Sequence, residues 1–494
     1  MQIGYAFLLE KCAPGTAAPG VCAETAPVRK KTLRDGRLLV PAVSFPETEN
    51  PLAHVAFALA HEGVNMPILA QVLPMISPED MTAFVRAKPS GLVSRRAGWL
   101  WELFTGEALD FRTTASRYEP LFDPARYLTR DEGERSAKWK IVFNGLGTPQ
   151  WCATVERTEA LEAGMSGMVL ERAAKWFDGI GRLNAERASE RASLNETKSS
   201  CELEKASVNA GKAERFARLL RHASDERPLS EAYLCELQNE IVGNPLAKAQ
   251  AFRKEQNWLA DGVGAGAGSV RYVPPLPERI DGLMAAWREA AQRLSRQTDP
   301  IVAAAVVSFG FVYLHPFMDG NGRLSRFLIH RQLAASGRLG KERLLPVSVA
   351  MKKHELEYLE ALEAFSKPAR KAWKVIWTGG DPLCECTFVG HESLYRYWDA
   401  TRQAEFLYRM AQEALDVHLQ DEVDRLERFD KLDRAVNDAF DLPQALRLHM
   451  IEVYLKHGRL SLNFRKKFVY KIPSDVMDWL EANGGDIIRG ENAF

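Results

Sequence analysis

His315-Pro-Phe-Met-Asp-Gly-Asn-Gly-Arg-Leu-Ser-Arg326 places a titratable base, a hard oxygen ligand, a glycine turn and two arginines in twelve consecutive positions. Upstream, residues 301–314 (IVAAAVVSFGFVYL) are almost wholly apolar, which at that length predicts a buried helix. Pro316 predicts its end, because proline disfavours the helical conformation in the residue before it. Downstream, RLSRFLIHRQLAASG predicts a second helix from Arg323, stopped by Gly337. The stretch is therefore a turn between two helices, and the fold around it is expected to be mainly α.

The residue types point to anion chemistry. At Gly320-Asn321-Gly322 no side chain blocks the glycines, so backbone N–H groups can approach a ligand closely. A glycine turn that opens a helix directs free N–H groups and the positive end of the helix dipole at that ligand. Asp319 suits a magnesium ion shared with phosphates. Arg323 and Arg326, three apart, are neighbours on the first helical turn, and their guanidinium forks match phosphate oxygens. His315, just outside the cradle, can accept a proton near neutral pH. Such a set holds a nucleoside triphosphate by position and charge neutralisation. A plain glycine turn with ordinary salt bridges is the bland alternative; eight specified residue types within twelve positions weigh against it.

HPFMDGNGRLSR resembles the Fic motif, H-x-F-x-D/E-G-N-G-R-x-x-R, at every defined position. The resemblance implies a helical Fic core that moves AMP from ATP to a protein hydroxyl, a Ser, Thr or Tyr of a target. By that resemblance His315 deprotonates the hydroxyl, Phe317 anchors the loop, and Asp319 holds Mg²⁺. Gly320, Asn321 and Gly322 bind phosphate oxygens, Arg323 helps to neutralise the β-phosphate, and Arg326 receives the γ-phosphate. Doc-like phosphotransferases are similar but carry lysine at the position of Gly322, so the glycine favours adenylylation.

Three further stretches fit the resemblance. Val270-Arg-Tyr-Val-Pro-Pro275, after a Gly/Ala run, predicts a short strand. It looks like the Fic flap, a hairpin that docks the target by strand addition; Val270 and Tyr272 are the candidates to flank the modified side chain. Tyr358 and Leu362, four apart on one helical face, are candidates for the adenine pocket or simply for the core. Ser200-Cys-Glu-Leu-Glu204 resembles the inhibitory helix S/T-x-x-x-E-G/N, expected near 197–206, with Lys205 in place of Gly or Asn. The resemblance implies that Glu204 takes Arg326 from the γ-phosphate, an intramolecular restraint; solvated charges in a polar stretch are the alternative.

The whole chain has 494 residues, 46% hydrophobic and 26% charged, with Lys+Arg and Asp+Glu both at 65. No global charge points to nucleic acid or membrane, and no uninterrupted apolar run is long enough to span a bilayer. The start of the chain lacks a basic stretch before its apolar residues and does not read as a signal peptide, so a cytoplasmic protein is expected. Seven scattered cysteines, with only Cys384 and Cys386 close together and His391 behind them, read as reduced thiols rather than a zinc site.

The expected division is an N-terminal accessory module over 1–155, α/β or helical, with helix candidates PLAHVAFALAHEGVN and RRAGWLWELFTG. A Fic core follows over 156–380, closed by the turn TGGDP. The last part, 385–494, is mostly helical and winged-helix-like in reading. Its Arg465, Lys466, Lys467 and Lys471 near Phe464, Phe468 and Tyr470 fit a solvated face or a DNA reader. Fic cores often pair through helices, so the resemblance leaves a homodimer open. Two other functions remain open: removal of AMP by the same site, and a DNA-binding or scaffolding regulator with a nucleotide-sensing core.

Overall fold

The computed structural model describes residues 2–13, 21–34, 37–46, 49–204, 210–244, 247–260, 266–340, 343–380 and 383–490. Lys205 and residue 206 of the inhibitory pattern, part of the Gly/Ala run and the last two residues of TGGDP lie outside them. The chain is mostly helical, with small sheets.

The apolar stretch forms the helix Pro300–Leu314, and every residue in it except Val312 is buried. Asp299 caps it, accepting the N–H groups of Ile301 at 2.9 Å and Val302 at 3.1 Å, with proline in the first turn where no donor is lost. It packs against three helices: Pro277–Gln297, Asn321–Ala335 and Thr401–Glu413. Trp287 fixes one of these contacts, its ring 5.3 Å from Phe311 and its indole N–H donating to Val307 O at 3.0 Å.

The helix stops where Pro316 predicts, and His315 takes the left-handed conformation, φ 50° and ψ 57°. The motif helix Asn321–Ala335 begins two residues earlier than the sequence suggests, because Gly320 at φ 89° makes the turn; Gly337 at φ 69° ends it. Beside it runs a long helix, Arg182–Leu203, with Glu204 at its C-terminal cap. Here it is called the brace helix.

The N-terminal region is mixed. Among its described residues two three-stranded sheets accompany five α-helices, Tyr5–Lys11, Pro51–His61, Met66–Val72, Pro78–Ala87 and Leu92–Thr105, most of them around a separate apolar core. Leu92–Thr105 is the expected arginine-aromatic helix, closed by Gly106 in the left-handed region. Strand Trp151–Thr154 pairs in parallel with Tyr397–Asp399, and residues 395–426 contribute to the main core. Past Asp399 the described chain is helical, with no wing strand, and helices Gln444–His457, Leu462–Phe468 and Ser474–Arg489 close on a third core with Leu432 and Val436. Among the described residues no helix is long and apolar enough to cross a membrane.

Candidate active site

His315 is 8% exposed, and its Nδ1 lies 3.1 Å from Val312 O. A carbonyl only accepts, so Nδ1 carries the proton and Nε2 keeps a free lone pair. Burial, reinforced by the Arg253 cation, lowers its pKa from 6.5 to about 4; the Val312 carbonyl and Asp319 oppose the shift. The ring is therefore neutral at pH 7, as a proton acceptor must be.

The turn after it is closed from inside. Phe317 is 1% exposed and packs on Phe252 with centroids 5.6 Å apart. Asn321 brackets it, Oδ1 accepting the Phe317 N–H at 3.0 Å and Nδ2 donating to Phe317 O at 2.7 Å. With that side chain committed, Asn321 offers an anion only its backbone N–H, one of those at a helix start without an intrahelical partner. Asp319 accepts the Gly320 N–H at 2.6 Å through Oδ1, and its side chain stays 55% exposed.

The second arginine reaches back to the brace helix. Arg326 donates from Nε to Ser200 Oγ at 2.7 Å, and from Nη2 to Ser200 O at 2.8 Å and Glu204 Oε1 at 3.0 Å. Arg323 Nε is 2.7 Å from Glu204 Oε2, a charge contact whose geometry makes no hydrogen bond; its Nη1 donates to Ile241 O at 2.8 Å. Arg326 is 3% exposed. Burial pulls its pKa down, but Glu204 and Tyr358 outweigh that and hold it above its ordinary value. A carboxylate thus sits at the start of the motif helix, against both arginines and over Gly322, whose Cβ would meet Glu204 Oε1 at 2.6 Å.

Tyr358 is buried between Phe309 and Phe406, at 6.2 and 5.9 Å. With Phe309, Arg326 and Met351 it lines a cavity of about 10 Å³, room for about one water. Leu362 packs on the core. The flap pairs Leu259–Ala260 with Val270–Tyr272 in antiparallel fashion. Here the expectation needs correction: Val270 and Tyr272 point inward, 3% and 4% exposed, with the Tyr272 hydroxyl donating to Tyr313 O at 2.5 Å. Strand alternation puts Arg271 on the open side instead.

Two groups escaped the sequence reading. Arg253, 4% exposed, donates to His315 O, Glu255 O and Pro275 O; it lies 62 residues upstream with no local signal. Glu196 joins His330 and Ser348. Its signal was visible, since it stands four residues before Ser200 and eight before Glu204.

The helices, the glycine turn and the base beside it are the frame of a Fic domain, and residues 228–333 match the profile of the Fic/DOC family. The chain carries a Fic/DOC-family domain over that region. A protein adenylyltransferase Fic from Nematostella vectensis is 32% identical over 109 residues, 21% of this chain and 22% of that protein. One from Culex quinquefasciatus is 29% identical over 132 residues, 26% and 23% of the two chains. The match spans less than a quarter of either relative's length. The crystal structure of a Fic family protein from Desulfovibrio desulfuricans aligns over 63% of this chain and 90% of that one, with a TM-score of 0.39 and 16% identity.

Proposed function

We propose that this chain is a protein adenylyltransferase, moving AMP from ATP to a Ser, Thr or Tyr hydroxyl of a target protein, and that Glu204 restrains it. The observation that carries the reading is Glu204 itself. A carboxylate on Arg326, Arg323 and the helix N-terminus marks this place as an anion site. The γ-phosphate of ATP competes with it for Arg326.

With Glu204 withdrawn, the phosphates lie along the N–H groups of Asn321, Gly322 and Arg323, while Gly320, whose own N–H is held by Asp319, makes the turn; Arg323 and Arg326 neutralise their charge. His315 Nε2 accepts the target hydroxyl's proton as its oxygen attacks the α-phosphorus; the bond to the β-phosphate oxygen breaks and pyrophosphate leaves. Asp319 fits Mg²⁺ as a single exposed carboxylate, and no group of three or more His, Cys, Asp or Glu among the described residues could cage an ion. That favours an ion held mainly by water and phosphates, where it supplies charge neutralisation. Tyr358, which shares the wall of the small cavity with Arg326, is the proposed contact for the nucleotide.

The test is transfer of label from α-³²P-ATP to protein in lysate, with Mg²⁺, by the wild type, Glu204→Gly and Glu204→Gly/His315→Ala. A rise with the first substitution and its loss with the second support the reading. No label from any of the three refutes it, and loss of label from pre-adenylylated protein instead identifies the reverse reaction.

A further inference from the structure

The brace helix and the motif helix run antiparallel and meet in three rungs. Glu196, Ser200 and Glu204 stand at four-residue spacing, the spacing that lines up one helical face. Opposite them are His330, Arg326 and Arg323. The two rungs nearest the loop belong to the restraint described above. The third, Glu196 with His330, has no part in it.

Glu196 is fully buried. Its Oε1 lies 2.7 Å from His330 Nε2 and accepts the Ser348 hydroxyl, and its Oε2 accepts the Ser348 N–H at 2.7 Å. Ser348 is fully buried and His330 is 4% exposed. Ser348 opens the helix Val347–Lys353, where a backbone N–H has no partner in its own helix. One carboxylate therefore ties the brace helix to two others. It sits two turns, about 12 Å, from Glu204, too far to touch the phosphate cradle.

We propose that Glu196 is a positioning residue for Glu204: its bonds to His330 and Ser348 fix the register of the brace helix so that Glu204 lands on Arg326. A slide or roll of the helix would strip a buried carboxylate of its partners, which is among the costlier changes a fold can make. Elsewhere the helix is held independently, Arg187 donating to both Asp430 oxygens at 2.8 and 2.9 Å. Loss of Glu196 therefore loosens the end that bears Glu204 and leaves the rest docked. The inference rests on the proposed restraint by Glu204.

The test uses the full chain with Glu196→Gln and Ser348→Ala, each alone and combined with Glu204→Gly. AMP transfer is followed against ATP concentration, with thermal melting to confirm folding. Glu196→Gln should raise basal transfer about tenfold, as loss of a charge-assisted bond allows, chiefly through a lower KM for ATP. Ser348→Ala, which removes one of the bonds, should do the same more weakly and serves if Glu196→Gln fails to fold. Neither should add to Glu204→Gly, which no general structural role predicts. If Glu204→Gly raises transfer while the folded variants leave it unchanged, or add to it in the Glu204→Gly background, the positioning role is refuted. If Glu204→Gly itself has no effect, the restraint falls, and this role with it.

Discussion

Arg253 donates from Nε to the main-chain oxygen of His315 at 2.9 Å, while its own N–H donates to Pro316 O at 2.8 Å. The candidate base stands in a left-handed turn that a non-glycine residue adopts only when its surroundings hold it there. Arg253 is that support. Burial draws its pKa from 12.5 to about 10, which leaves it charged at pH 7, and its fork satisfies carbonyls of three separate segments.

Replacing Arg253 by Gln should therefore destabilise the Fic domain by about 3 kcal/mol or more, since three carbonyls lose their donor and each buried loss costs about 1–3 kcal/mol. Lysine should recover less than half, because one ammonium cannot span the fork. Urea unfolding of the three proteins decides. A cost below about 1 kcal/mol for the Gln variant would mean that the turn stands without Arg253.

The His315 pKa of about 4 has consequences for rate and for stability. The acid limb of kcat/KM, measured in Glu204→Gly, should lie near pH 4 instead of near 6.5. For stability, the unfolded chain protonates this histidine as pH falls through 6.5 and the folded chain does not until about 4. The folded state thus loses stability across that window, by roughly 3 kcal/mol when complete. The gap in unfolding free energy between wild type and His315→Ala should shrink correspondingly from pH 7 to 4. A gap independent of pH would place the histidine in water.

The motif and its two helices were readable because the information is local: an apolar run, a proline, glycines and charges within forty residues. Ser200 and Glu204 stood out only through the resemblance of Ser200-Cys-Glu-Leu-Glu204 to the inhibitory pattern of Fic proteins. Arg253 was not, because its partners are backbone oxygens, which leave no mark in the sequence. Tyr272 was misdirected because alternation in a three-residue strand does not say which face is inward; only packing against Tyr313 and Phe365 decides. The expected break near 380 followed a turn signal, yet residues 395–426 pack into the main core and the strand near 397 completes a sheet begun at residue 146. Such long-range pairing is invisible to local patterns.

Asp319 separates function from stability. Its exposed side chain contributes one bond to Gly320 and a 3.3 Å contact to Arg323, together about 1 kcal/mol or less. Asp319→Ala should melt within a few degrees of the wild type while losing AMP transfer by about a hundredfold or more. Calorimetric titration with ATP should show Mg²⁺-dependent binding in the parent and none in the variant. Binding that depends equally on Mg²⁺ in both would remove Asp319 from the metal site.

Gly322 and Glu204 should be coupled in sign. In the native chain a Cβ at residue 322 would press on Glu204 Oε1 at 2.6 Å. The flexible carboxylate would swing away, leaving Arg326, only 3% exposed, without its counter-charge. That loss, about 1–3 kcal/mol, exceeds the ~0.5–1 kcal/mol that alanine gains over glycine inside a helix. Gly322→Ala alone should therefore destabilise by about 1–2 kcal/mol. In Glu204→Gly the obstruction is gone and the next atom, Arg326 Nη1, lies at 3.4 Å, an ordinary contact. The same substitution should then stabilise by about 0.5–1 kcal/mol. Thermal unfolding of the four proteins closes the double-mutant cycle. The same sign in both backgrounds would mean that Glu204 does not occupy the space above Gly322 in solution, and the restraint would have to act elsewhere.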